Sequence, residues 1–270
     1  MIDLSQLSPM MQHYMETKKE YPDCVLFYRL GDFYEMFFDD ALTVSKELEI
    51  TLTGKDCGLF ERAPMCGVPF HALDSYLYRL VQKGYKVAIA EQMEDPRQAK
   101  GLVKREVIRV VTPGTITSSQ VLDETKNNYL MGIVYMDGIY GISTADISTG
   151  DFMVTEVDSD RELFDEINKF SPSEIICNNA FYMSGVDMDE LKNRYQVVIS
   201  ALDSRFFGEE SCRRILMEHF KVGALVGLGL EDYATGIIAA GAVTVVPPPP
   251  MAYWTSNWVC QKRWAAWGET

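Results

Sequence analysis

The chain has 270 residues, and its 39 acidic against 25 basic side chains give a formal net charge of -14, the wrong sign for a protein bound to nucleic acid along its whole length. That length is enough for two domains, each with its own core. No opening basic-and-apolar leader and no run of about 18 apolar residues occurs, so neither export nor a membrane partner is expected and the cytoplasm is the expected location.

The first half reads as mixed α/β. A helix is predicted from Pro9 to Lys19, a strand from Cys24 to Leu30, a capped helix to about Leu48, a short strand at Ile50 to Thr53 and a polar loop from Gly54 to Arg62. Helical spacing returns in Leu73, Tyr76, Leu77, Leu80 and Val81, and strands follow at Lys86 to Gln92 and Glu106 to Val111. A sheet packed by helices is the economical arrangement. Thr112-Pro113-Gly114-Thr115 ends this domain (1–115), and a polar linker (116–128) follows.

From Tyr129 the pattern becomes a meander. Tyr129 to Met136, Ile139 to Asp146 and Asp151 to Val157 are strand-like, joined by turns at Asp137-Gly138 and Ser148-Thr149-Gly150. Helix and strand then alternate: Arg161 to Phe170, Glu174 to Cys177, Asp189 to Tyr195, Val197 to Ser200 and Glu209 to Phe220. Three antiparallel strands followed by strand and helix units predict an RNase H-like sheet over 129–228. Nucleases of that fold hold metal on an early-strand aspartate, and Asp146 offers one, with Glu174 the obvious second carboxylate. Two-metal chemistry needs more converging carboxylates than that. Asp146 is therefore read as a turn residue with local hydrogen bonds, and no metal is expected.

No G-x-x-x-x-G-K-[ST] sequence occurs, so no phosphate-cradling loop is predicted; Gly223 to Gly229 reads as a junction. The six cysteines lie far apart without a C-x-x-C pair, which suits reduced thiols. Cys57, Cys66 and His71 are the nearest approach to a metal cluster and are read as structural for want of a fourth ligand. After Gly241-Ala242 the chain runs into Pro247 to Pro250 and a segment holding Trp254, Trp258, Trp264 and Trp267. Such a tail (243–270) is read as an aberrant, disordered terminus, frameshifted or artificially joined; the other reading is a polyproline II ligand for an SH3-like or WW-like partner.

The most informative run is Gly31-Asp32-Phe33-Tyr34-Glu35. An aromatic side chain pushed into the minor groove unstacks a base step, and a mismatched or unpaired step resists least. A carboxylate beside it repels phosphate, so its use would be to hydrogen-bond the disturbed base. The competing reading is structural: Asp32 as N-cap with Glu35 as its capping-box partner, and Phe33 opening a buried helical stripe through Phe37, Ala41, Val44 and Leu48. Local spacing leaves both open.

The stretch from Pro9 to Thr115 resembles the mismatch-recognition domain of the MutS family of DNA mismatch-repair proteins. Pro9-Met10-Met11-Gln12, Phe27 to Glu35, Pro64 to Ala72, Glu91-Gln92-Met93-Glu94-Asp95-Pro96 and Val107 to Thr115 all fall in the family's order. The resemblance implies that Phe33 and Glu35 are the base-probing pair, and that an RNase H-like connector follows. Glu231 to Ala242 resembles the family's first lever helix, with its start set at 229. The family's ATPase, with its ATP and Mg, lies in a region absent here, so no enzyme activity and no cofactor are expected of this chain.

Residues 1–50 carry 10 acidic and 4 basic side chains, whereas 51–112 carry 7 acidic and 10 basic. Phosphate contacts beyond the wedge are therefore expected from Lys55, Arg62, Arg97, Lys100, Lys104 and Arg105. The resemblance implies as partners mismatched double-stranded DNA, the family's homodimer through regions mostly missing here, and downstream repair proteins at the connector. The alternative is a protein-interaction module without autonomous DNA binding.

Overall fold

A computed structural model describes residues 4–94, 101–115, 127–245 and 259–262, in two compact units, Met1–Thr112 and Pro113–Thr270. The Pro113–Thr115 turn, expected to close the first domain, belongs to the second. Its Gly114 N–H donates to Glu174 Oε2 at 3.3 Å, and a side chain there would crowd Leu130 and Glu174.

The first unit is one mixed sheet with helices on both faces. Its strands are β1 (Cys24–Leu30), β2 (Phe33–Phe37), β3 (Thr53–Lys55), β4 (Ala63–Pro69), β5 (Lys86–Gln92) and β6 (Arg105–Val111), in the order β3-β4-β2-β1-β5-β6. β1 runs parallel to β5 and antiparallel to β2. α1 (Pro9–Glu20) covers one face, where Tyr14 packs edge-on against Phe37 and Tyr28. On the other face α2 (Phe38–Leu48) and α3 (Leu73–Gln82) bury Ala41, Val44, Leu77 and Leu80.

A buried carboxylate ties α1 and α2 to the sheet. Asp40 accepts from Tyr14 Oη at 3.0 Å, Leu26 N at 3.0 Å and Lys18 Nζ at 2.9 Å. A carboxylate with that many donors is satisfied out of water.

The expected helix from Asp32 to Leu48 is two elements. Residues 33–37 form β2, and α2 begins at Phe38 with Phe37 in the N-cap position and no side-chain cap. Asp32 does not cap: it sits in the hairpin turn, and its carbonyl accepts from Phe70 N at 2.9 Å. The strand runs into the helix without a loop. The reversal is taken up by Phe38 at φ 51°, a residue type that carries no turn signal. The third strand lies at Thr53–Lys55 rather than 50–53. No strand signal marks β4 in the sequence, because it has Pro64, Gly67 and Pro69 within it, residues depleted in strands.

The second unit has β7 (Tyr129–Met136), β8 (Ile139–Asp146), β9 (Asp151–Val157), β10 (Glu174–Cys177) and β11 (Val198–Ala201), with β12 (Val259–Lys262) at the far edge, in the order β11-β10-β7-β8-β9-β12. β7, β8 and β9 are antiparallel; β10 and β11 run parallel to β7. Alternate residues of β7 face opposite layers, as strand geometry requires. Met131 and Ile133 pack with Leu163 and Ile167 of α4 (Asp160–Phe170), Phe181 of α5 (Asn179–Tyr182) and Leu191 of α6 (Met188–Tyr195). Leu130 packs instead with Leu216 of α7 (Glu209–Phe220) and Ile237 and Val243 of α8 (Ala234–Val245).

α8, the segment resembling a lever helix, is buried from Thr235 to Val243 against this sheet. Gly141 of β8 makes that approach fit: a Cβ there would stand 2.3 Å from the Thr235 carbonyl carbon. Most of the Pro/Trp-rich tail lies outside the described residues. Val259–Lys262, expected to be disordered with the rest, forms β12, paired in parallel with β9.

Candidate nucleic-acid interface

The site is built on the β1–β2 hairpin. Leu30 pairs with Phe33 across a two-residue turn, Gly31-Asp32, with Gly31 at φ 58°, a left-handed conformation that glycine adopts without steric cost. Strand alternation then decides what faces where. Tyr34 and Met36 point into the core, whereas Phe33, Glu35 and Phe37 share the opposite face. Along that face Tyr14 of α1 covers Phe37, while Phe33 keeps 45% of its surface exposed. An apolar ring and a carboxylate thus stand two residues apart on one face.

Glu35 lies opposite Gly67 of β4. A Cβ at Gly67 would meet Glu35 Cγ at 3.4 Å and Tyr34 O at 3.3 Å, so the missing side chain leaves the carboxylate its room. Register puts Lys55 of β3 on the same face, through Met65 and Ala63 of β4. Its Nζ lies 2.5 Å from Glu35 Oε2 and 5.5 Å from the Phe37 ring centroid.

The turn is braced from beneath. The Arg29 guanidinium lies over the Phe70 ring at 4.1 Å, donates from Nε to the Gly31 carbonyl and approaches Glu91 Oε2 at 3.6 Å. Tyr34 Oη donates to the same Glu91 oxygen at 2.7 Å. Burial, with that bond to a carboxylate, pushes the Tyr34 phenol up to about 12. Phe70 is itself exposed beside the turn. Arg29, Gly67 and Phe70 all lie in the quoted motifs, but cross-strand pairing alone reveals what they do.

The expected phosphate contacts divide. Arg62 is exposed. Lys104 is exposed and ion-paired with Glu106 at 2.5 Å. Lys55 is engaged with Glu35. Arg105 is buried: its guanidinium donates to Arg29 O and Val103 O, both at 2.7 Å, and stands over Tyr28. Net charge counts it as surface, yet these carbonyls are what it bonds. Arg97 and Lys100 lie outside the described residues.

The remaining candidates have local partners. Asp146 accepts from Ser148 N at 2.8 Å, Ser148 Oγ at 2.6 Å and Asn128 N at 3.1 Å, the turn arrangement expected of it. Glu174 accepts from Gly114 N and from Ser200 Oγ at 3.4 Å. Cys57 and Cys66 donate to the Glu61 and Ala41 carbonyls. Among the described residues no three His, Cys, Asp or Glu side chains converge as a metal site, and no helix is long and apolar enough to cross a membrane.

Family models for MutS domain I and MutS domain II match residues 8–120 and 128–244. The DNA mismatch repair protein MutS of Lachnoclostridium phytofermentans is 62% identical over 240 residues, covering 89% of this chain and 26% of that protein. For the protein of the same name from Acetivibrio thermocellus the identity is 57%, over 81% of this chain and 25% of the relative. The chain thus spans about a quarter of the length of these relatives. The two family matches follow the two units of the fold in order, and the chain belongs to the MutS family, of which it carries domains I and II.

Proposed function

We propose that this chain serves DNA mismatch repair by recognising mispaired or unpaired bases in duplex DNA, with Phe33 as a minor-groove wedge and Glu35 as the hydrogen-bonding group beside it. The observation that carries this reading is Phe33 itself, a large aromatic side chain left half exposed at a glycine turn with a carboxylate on the same strand face. Unstacking a base step costs a few kcal/mol, least at a mismatch, so insertion of the ring converts weak pairing into binding preference. The relatives' name, DNA mismatch repair protein, supports the same reading.

The test compares binding to a short duplex with one unpaired thymine and to its fully paired twin, for the wild-type chain and Phe33→Ala. Wild type should prefer the unpaired site and the variant should not. Equal discrimination by the two proteins would sink the wedge assignment.

The second unit supports a different role. Residues 113–270 carry 22 acidic and 11 basic side chains, a poor match to phosphate. We read this unit as an RNase H-like connector, supported by its strand order and directions, and as a docking surface for repair proteins. The proposal extends to dimerisation and ATP-dependent steps in any longer assembly that contains these two domains.

A further inference from the structure

We infer that Lys55 acts on Glu35 rather than on the DNA backbone, as the counter-charge that makes a carboxylate tolerable beside a polyanion and that positions it next to the wedge. The inference rests on the DNA-reading function proposed above and adds a positioning residue to it. Lys55 is a basic side chain next to a proposed DNA site, and by charge alone it passes for a phosphate contact. Its geometry points elsewhere.

The ammonium lies 2.5 Å from Glu35 Oε2 and is backed by the Phe37 ring at 5.5 Å, within the reach of a cation–π contact. Phe37 is itself fixed by Tyr14. Glu35 and Lys55 keep only 16% and 32% of their side-chain surface exposed. The opposing Gly67 leaves the carboxylate free of a neighbouring side chain. The pair is thus held between a packed ring and a glycine gap, on the same sheet face as Phe33. A carboxylate brought to the minor groove meets phosphates of like sign, and like charges set against each other cost binding heavily. Lys55 offsets that charge at its source.

A double-mutant cycle on the full chain separates the two roles. Wild type, Lys55→Met, Glu35→Gln and the double variant are titrated by fluorescence anisotropy at one low salt concentration, against the unpaired-thymine duplex and its paired twin, with Lys55→Arg as the conservative control. If Lys55 serves Glu35, Lys55→Met weakens binding by about tenfold when Glu35 is present and by less than about twofold in the Glu35→Gln background, because no charge remains to be offset. Lys55→Arg should stay near wild type, which separates lost charge from lost folding. Equal losses in both backgrounds, with the preference for the unpaired site intact, would overturn this inference alone and make Lys55 a phosphate contact. Wild-type binding that does not distinguish the two duplexes would overturn the proposed function, and the role of Lys55 with it.

Discussion

Phe33 and Phe37 lie four residues apart on one strand face, yet the first is half exposed and the second fully buried. The difference is Tyr14, which reaches Phe37. Exposure at Phe33 therefore predicts an unequal outcome of the same substitution. Phe37→Ala should destabilise the first unit by about 3 kcal/mol through the cavity it leaves, whereas Phe33→Ala should cost less than about 1 kcal/mol, both read from urea unfolding midpoints. A large loss for Phe33→Ala would make the ring a core residue. Glu35→Ala, in turn, should alter which mismatches are preferred, measured across a panel of duplexes. Sequence marks these two residues as candidates because a glycine, an aromatic residue and an acid stand together in a family motif. It did not make Lys55, Arg29 or Phe70 legible in their roles: Lys55 comes from two strands away, while Arg29 and Phe70 meet through the hairpin, and only register brings them together.

At the scale of elements, the sequence marks the structure wherever turns carry glycine, asparagine, aspartate or proline. β1, β7, β8, β9, β10 and α7 fall where periodicity predicts them. The failure from 33 to 48 has one cause. A short strand whose apolar residues continue the spacing of the next helix looks like one helix when nothing breaks the chain between them. β8 and α8 present the opposite case, a close approach written as single glycines but invisible until the partners are known. Gly141→Ala would drive its Cβ into the Thr235 backbone, and should destabilise the second unit by about 2 kcal/mol or more. Calorimetry that found no shift in the melting of this unit would show that α8 can move aside. Asp40→Ala should be comparably costly in the first unit, about 3 kcal/mol, since it strands the Leu26 N–H and leaves the Tyr14 hydroxyl and the Lys18 ammonium with only the Phe37 and Cys24 carbonyls as acceptors.

For the molecule as a whole, the overall charge conceals a local one. With Lys55 and Lys104 paired and Arg105 buried, the expected phosphate contacts left over are Arg62 and the undescribed Arg97 and Lys100. Three contacts at most imply a slope of log affinity against log salt no steeper than about -3. A slope of about -4.5 would show that the paired lysines also reach phosphate. Stability against alkali follows from the buried phenol and thiols. Tyr34 is raised from 10.0 to about 12, and Cys24, Cys66 and Cys177 from 9.0 to about 12, all chiefly by burial. Each such group is neutral in the folded chain and ionises more readily when unfolded. Its stabilising effect is complete below the unfolded value and is lost as pH rises towards about 12. Unfolding midpoints should therefore fall steadily above pH 9, and a flat profile to pH 11 would contradict these shifts.

The pairing around the Gly31-Asp32 turn also decides what a change of length there would do. A single residue inserted or lost there would turn β2 over only if the turn stayed two residues long and the strand slipped by one in its pairing: Tyr34 and Met36 would then be presented to solvent and Phe33 and Glu35 driven into the core. β2 is held in register on both sides, by β1 and by β4, so added residues should loop out at the turn and leave the face of Phe33 and Glu35 in place; among working variants selected from a library of random insertions at this site, odd and even additions should survive alike.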